Sequence, residues 1–229
     1  MCGRYVTPDE SALEREFRRV PPPFRYRASY NVAPTANVPA LRRGSDGAEW
    51  VLLRWGLVPF FTHGELPKYP TINARIETLE TAASWRGPWK RGQRCILPAA
   101  GFYEWRVDEP GRKQPFYIHL ADRAAFGFAG LWDRSVSPDG ATIESATIIT
   151  MPANALLADI HNTKQRMPAI LAREREDAWL AGTADDARES LVPYPADLMV
   201  AHRVGLRVNS PRNDGPDLIA PLAAASSPH

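Results

Sequence analysis

A cysteine stands at position 2 of this chain, and the sequence holds one other, Cys95. Loss of Met1 would leave a free α-amine and a thiol on the same residue. Such a 1,2-aminothiol condenses with an aldehyde through nitrogen and then closes through sulfur to a five-membered thiazolidine. An internal cysteine cannot, because its nitrogen is locked in an amide. Ordinary pKa values, about 7.7 to 8.0 for the amine and about 8.5 for the thiol, leave reactive forms of both near neutrality. The competing assignment for Cys2 is a small buried hydrophobe beside a strand.

Three further stretches set polar groups in apolar or rigid surroundings. In TINARIE, Asn73, Arg75 and Glu77 alternate, so an extended backbone points them to one side. Asn73 could then orient a sugar or the chain terminus and Arg75 could grip a phosphate, or Asn73 could simply cap a helix. In PAAGFYEWRV, Glu104 lies between Tyr103 and Trp105. A carboxyl held against aromatics has a raised pKa and delivers a proton near pH 7, whereas strand alternation could equally turn it to solvent. In LLADIHNTKQRMPAIL, His161 follows a short apolar helix and opens a polar loop with Lys164 and Arg166, a setting for a base or an anion site, or for a structural histidine. His63, His119, His202 and His229 lack comparable settings. No His, Cys or carboxylate spacing suits a metal, and neither GxGxxG nor GxxxxGK occurs, so no cofactor is expected.

These residues need elements to position them. Cys2 to Val6 reads as a short strand, followed by a helix with Thr7 as N-cap, Pro8 at its first position and Leu13 and Phe17 on one face. Residues 21–41 are rich in proline and turn formers and read as irregular chain with brief extended pieces. A strand is expected over EWVLLRWGLVPF, then helical spacing through Ile76, Leu79 and Ala83. QRCILPAAGFYEWRV, QPFYIHL, AAFGFAGLWDR and TIESATIIT read as successive strands joined by turns at DEPGRKQP and SVSPDG. Helices are expected over Ala153 to Asp159 and Glu174 to Ala181, a late strand near MVAHRVGLRV, and a frayed tail over 223–229. Strands joined by hairpin turns, without regular strand and helix alternation, predict an α+β domain with a mainly antiparallel sheet.

Bulk properties narrow the class. At 229 residues, with 44% hydrophobic and 24% charged residues, the chain reads as one globular domain over 1–222. It shows no membrane-length apolar run and no charged leader before an apolar stretch. Two distant cysteines suit a reducing compartment, so a cytoplasmic location, in the cytosol or nucleoid, is expected. A net charge of +2 selects no partner. Arginine, however, far outnumbers lysine and recurs beside aromatic or small residues, as at Arg4, Arg75 and Arg106, a composition that suits phosphate and base contacts as well as a solvated surface.

MCGRY, NVAPT, RWGLVP, NARIET, CILPAxGFYEW and HNTKxRMPAIL, in that order from Cys2 to Pro168, together resemble the SOS response-associated peptidase (SRAP) family. A weaker echo follows in VNSPRNDGPDLI. The resemblance implies a single SRAP-like α+β domain with a barrel-like curved sheet and peripheral helices. It implies action on single-stranded DNA carrying abasic sites, fork-like junctions included, by a monomer that needs no cofactor. By that resemblance Cys2, exposed by removal of Met1, forms a thiazolidine crosslink with the ring-opened sugar. Asn73 positions the terminus, Glu104 is the acid that opens the sugar, and His161 assists Schiff-base chemistry and slow reversal. Weak abasic-site lyase activity is a further implication, and Met1 is removed either by the protein itself or by a host aminopeptidase.

Arg4 and Arg75 are implied phosphate contacts, with Phe61, Trp105, Lys164 and Arg166 also on the DNA. Two departures bear on these roles. His161 precedes the Arg-Met-Pro triplet by the insert NTKQ, which brings Lys164 into consideration beside it, and Phe60 and Phe61 stand where many relatives carry tryptophan. A cysteine peptidase, a noncatalytic single-stranded DNA binder and an interaction protein are the rival readings. Of the four, the crosslinker alone needs both functional groups of one residue.

Overall fold

β1 (Tyr5–Val6) is short, yet it decides where Cys2 goes. The computed structural model describes residues 2–17 and 22–222, so Met1 and the tail 223–229 lie outside the described residues. After β1 comes α1 (Glu10–Phe17), which buries Leu13 and Phe17 as their spacing predicts. Its cap is Asp9 rather than Thr7: Asp9 Oδ1 accepts from Ala12 N at 2.8 Å, while Thr7 Oγ1 accepts from Ser29 N at 2.8 Å. Thr7 has been claimed by the neighbouring segment, and the carboxylate two residues on takes over the helix start.

β2 (Asn37–Gly44) and β3 (Gly47–Trp55) form a hairpin. The stretch read as irregular with brief extended pieces therefore ends in a strand longer than that reading allowed, whose Val38, Ala40 and Leu41 are buried by tertiary pairing. β4 (Asn73–Arg75) is a second departure, because the helical spacing through Ile76 and Leu79 yields only one 3₁₀ turn. The helix itself, α2 (Ala83–Lys90), starts later. The long apolar run at 93–107 is two strands, β5 (Arg94–Ala99) and β6 (Gly101–Glu109), broken at Ala100.

β7 (Arg112–Leu120), β8 (Phe126–Val136) and β9 (Thr142–Pro152) follow as read. Gly111 (φ 81°) and Gly140 (φ 87°) supply the left-handed positions at the two expected turns. Next come α3 (Ala155–Ile160), β10 (Arg166–Pro168), β11 (Ile170–Leu171), α4 (Glu176–Ala181), α5 (Ala184–Ser190) and β12 (Met199–Arg203). β10, β11 and α5 are too short for periodicity to reveal, and the late strand stops at Arg203, before a 3₁₀ turn at Leu206–Asn209.

Pairing in the order β9-β3-β2-β5-β8, closed by β8 on β9, makes a five-stranded barrel of mixed sense. β4 adds to it parallel to β9, Asn73 opposite Ile148. A four-stranded antiparallel sheet, β1-β6-β7-β12, packs beside the barrel. With 25% helix and 36% strand in one domain, the α+β expectation holds, barrel included. β5 is buried along its whole length, which explains a run with no polar alternation. Tyr5 ties the two layers together: its ring meets Trp55 edge-on at 5.1 Å and Phe128 at 5.8 Å between centroids.

The C-terminal segment is sewn onto β1 by Asn31. Its amide nitrogen donates to Ser210 O at 2.9 Å, Asn213 O at 2.8 Å and Val208 O at 3.3 Å, while Oδ1 accepts from Arg4 at 2.9 Å. Asn31 is buried, so truncation strands several polar groups at once. Asn31→Ala is expected to lower unfolding stability by about 2 to 3 kcal/mol in urea titrations; a loss under about 0.5 kcal/mol, within the range of an ordinary surface substitution, would contradict this.

Candidate active site

Antiparallel pairing of β1 on β6 sets Tyr5 opposite Phe102, and Tyr103 N donates to Arg4 O at 3.0 Å. Continued toward the amino terminus, that register carries Cys2 to the part of β6 that holds Glu104. Cys2 is fully buried, and its carbonyl accepts from Asn73 Nδ2 at 2.9 Å. Its Sγ lies 3.7 Å from Arg4 O. Burial pushes the thiol pKa well up, and the Glu104 charge pushes it further. Asn73, itself buried on β4, keeps an Oδ1 without a hydrogen-bond partner among the described residues.

Glu104 is 2% exposed, and burial raises its pKa to about 7, with Lys164 pulling the other way. Its Oε2 lies 4.0 Å from His161 Nε2. His161 Nδ1 sits 3.0 Å from the Arg166 carbonyl, which can only accept, so that nitrogen carries the proton and Nε2 presents its lone pair toward Glu104. Burial holds the imidazole below its usual pKa range. Near neutrality the pair is thus a carboxyl able both to hold and to give up its proton facing a neutral base, an arrangement that can pass one proton in either direction.

The sequence shapes this loop locally. Asn154 Oδ1 caps α3 by accepting from Leu157 N at 2.9 Å, and α3 ends at Ile160 just before His161. Asn162 then pairs with the Val107 backbone in both directions, at 2.9 and 3.1 Å. Gln165 adopts a left-handed conformation (φ 48°) and turns the chain into β10.

A cavity of about 370 Å³ is lined by Glu104, Trp105, Val107, Lys113, His161, Thr163 and Lys164. Cys2 and Asn73 do not line it. Two cavities of about 420 Å³ are larger, but neither includes any of the four residues expected to be catalytic.

The other expected residues divide. Trp105 and Lys164 stand in the cavity wall. Arg75 is exposed on β4, one strand repeat from Asn73. The Arg4 guanidinium donates inward to Asn31, Val208 O and Asn209 O. Arg166 forks onto Glu77 at 2.6 and 3.0 Å, holding that carboxyl below its usual range, and donates to Thr150 O at 2.7 Å. Phe61 (41% exposed) lies outside the cavity wall, on a 3₁₀ turn anchored to β8 by Phe60 N donating to Asp133 Oδ2 at 3.0 Å. Lys113 falls in the stretch read as a polar turn, which nothing in the sequence singles out; it is a residue of β7, and the pairing of β7 with β6, Lys113 opposite Val107, brings it to the cavity.

The fold thus brings a buried cysteine at position 2 against an asparagine from β4 that holds its carbonyl, and sets a buried carboxyl on β6 beside an imidazole just past the end of α3. The chain matches the family described as SOS response associated peptidase (SRAP) over residues 1–211 and belongs to it. Abasic site processing protein YoqW of Bacillus subtilis (strain 168) is 40% identical over 225 residues, covering 96% of this chain and 99% of its own. Abasic site processing protein HMCES of Gallus gallus is 34% identical, covering 97% of this chain and 78% of its own. A crystal structure of a protein from Bordetella bronchiseptica, 32% identical, aligns with a TM-score of 0.79 over 90% of this chain and 100% of that chain. Among the described residues no helix is long and apolar enough to cross a membrane, and no cluster of three or more His, Cys, Asp or Glu side chains suits a metal.

Proposed function

We propose that this protein captures abasic sites in single-stranded DNA as a covalent thiazolidine crosslink through Cys2. The observation that carries the reading is the convergence on Cys2: Asn73 holds its carbonyl at 2.9 Å, and Glu104, within 4.0 Å of His161, is near enough for its charge to act on the thiol. Removal of Met1, by the protein itself or by an aminopeptidase, turns the Cys2 amide nitrogen into an amine.

Glu104 in its acid form protonates the ring oxygen of the abasic sugar; the bond from C1′ to that oxygen breaks, the C1′ hydroxyl proton passes to His161, and the aldehyde results. The Cys2 amine adds to the carbonyl carbon, and loss of water, with a proton from the Glu104–His161 pair, leaves an imine. The thiol then adds to the imine carbon, its proton passing to nitrogen, and the ring closes. The net change is loss of one water. Because burial keeps the thiol protonated, the amine attacks first and sulfur second. Drainage of the imine by β-elimination gives weak lyase activity, and the reverse sequence releases the DNA.

Phosphates flanking the lesion fall to Arg75, Lys164 and Lys113, and base stacking to Trp105 and Phe61. Arg4 and Arg166 instead brace the elements around the site, since their guanidinium groups are engaged within the protein. The protein acts as a cytoplasmic monomer at lesions in single strands and fork-like junctions.

Intact-protein mass spectrometry tests the chemistry: Met1-less protein should gain the mass of abasic DNA minus one water, and gain nothing with intact-base DNA. Absence of that adduct under conditions where the aldehyde is available would overturn the reading. For Lys113→Gln, the salt dependence of binding to abasic single strands should flatten by about 0.7 in the log–log slope, the signature of one lost phosphate contact. An unchanged slope would remove Lys113 from the interface.

A further inference from the structure

Trp105 is held from outside the cavity it lines. An indole N–H can only donate, and Trp105 Nε1 donates to Asn209 Oδ1 at 2.8 Å, which fixes which end of the Asn209 amide faces the ring. Asn209 closes the 3₁₀ turn Leu206–Asn209, and that turn is gripped along its backbone. Arg4 donates to Val208 O at 3.1 Å and Asn209 O at 3.3 Å. Asn213 donates to Arg207 O at 2.7 Å, and Val208 is fully buried. Asn209 is therefore an exposed side chain on a rigid mount.

We propose that Asn209 is a positioning residue for the lesion cavity: it locks the Trp105 indole into the wall beside Glu104, as a preset stacking platform for the nucleotide next to the abasic sugar. The inference rests on the abasic-site reading above. A half-buried indole without a tether samples several rotamers, and DNA would have to select one of them on binding. The bond to Asn209 makes that selection in the free protein. The chain Asn31–Arg4–Asn209–Trp105 thereby makes the C-terminal segment a working part of the site and gives Arg4 a task other than phosphate binding.

Loss of the tether should weaken capture more than chemistry. In Met1-less protein, Asn209→Ala is expected to raise the DNA concentration giving half-maximal crosslinking about fivefold, the worth of one ordinary hydrogen bond. The plateau rate should stay within about twofold, because the reacting groups are untouched. In a Trp105→Phe background, which has no N–H to hold, the same substitution should cost under about 1.5-fold. A second arm needs no DNA: in Asn209→Ala the Trp105 indole N–H resonance should move and exchange faster with solvent. Equal cost in both backgrounds, or an unmoved and equally protected indole resonance, would overturn the proposal. Wild-type protein that forms no adduct would instead overturn the abasic-site reading, leaving the indole arm to decide the role of Asn209.

Discussion

Cys2→Ala is expected to abolish the heat-stable adduct with abasic single-stranded DNA, a loss of at least about a hundredfold, while leaving an adduct that borohydride can trap. The distinction follows from which group each step uses. Alanine at position 2, exposed by the same loss of Met1, keeps the α-amine and can form the imine, but it has no sulfur to close the ring. Cys2→Ser should behave similarly, because its hydroxyl does not give a ring of comparable stability. The site is fully buried and the side chains differ little in volume, so the fold should survive both changes and thermal melts should stay close to wild type. The measurement is adduct survival on heating, with and without prior reduction, for the three proteins. Equal heat stability of unreduced wild-type and Cys2→Ser adducts would remove the thiazolidine. Inhibition by thiol alkylation together with cleavage of added peptides would favour a cysteine peptidase instead.

Glu104→Gln is expected to slow single-turnover crosslinking by about a hundredfold, the lower range for loss of a general acid, and to change its pH profile. The acid form of Glu104 donates, and with a pKa of about 7 that form disappears as pH rises through neutrality. Wild-type rates should therefore fall on the alkaline side of 7, against a rising contribution from the Cys2 amine as an α-amine gives up its proton. Both limbs belong to the coupled site rather than to one residue. In the glutamine variant the falling limb should vanish and the rising limb remain. A rate and profile identical to wild type would take Glu104 out of proton transfer.

Stability gives a second readout of the same group. Its folded pKa of about 7 exceeds the ordinary 4.5, so the folded state binds the proton more tightly. The associated stability is fully present below 4.5 and is lost as pH rises to about 7, roughly 3 kcal/mol in all. Glutamine removes that slope. The carboxyl is thus kept buried at a cost to stability, as expected where a raised pKa serves chemistry.

Much of the site was legible one residue at a time. Position 2 supplies amine and thiol together, and that chemistry needs no knowledge of the fold. The aromatic flanks of Glu104 announced a shielded carboxyl, and strand alternation alone left open whether it faced inward; β6 turns it inward. The helix α3 was legible too, because the apolar Leu156, Leu157 and Ile160 keep helical spacing and stop just before His161.

Where the local signals failed, a neighbour had overridden them. Thr7 lost its capping role to pairing with Ser29, the helical spacing after Asn73 gave way to a strand paired parallel to β9, as the extended reading of Asn73 and Arg75 had it, and β5 and β6 read as one strand because both sides of the Ala100 break are apolar. Arg4 and Arg166 illustrate a limit of residue type: an arginine beside a site suits a phosphate equally well whether or not a carbonyl or carboxylate elsewhere in the chain has already taken its donors.

What the sequence by itself determined was the reactive inventory, the family to which its ordered motifs belong, and the α+β class. These rest on residue chemistry and on patterns that repeat within a few residues. What only the tertiary structure decided was convergence: Asn73 reaching the Cys2 carbonyl, His161 facing Glu104, Lys113 entering the cavity wall, and Asn209 holding Trp105. The contacts of Asn73 with Cys2, His161 with Glu104 and Asn209 with Trp105 join residues far apart in the chain, while Lys113 owes its place to the register of the β6–β7 hairpin. They depend on strand register and on closure of β8 onto β9, quantities set by the packing of the whole core and carried by no single stretch of sequence.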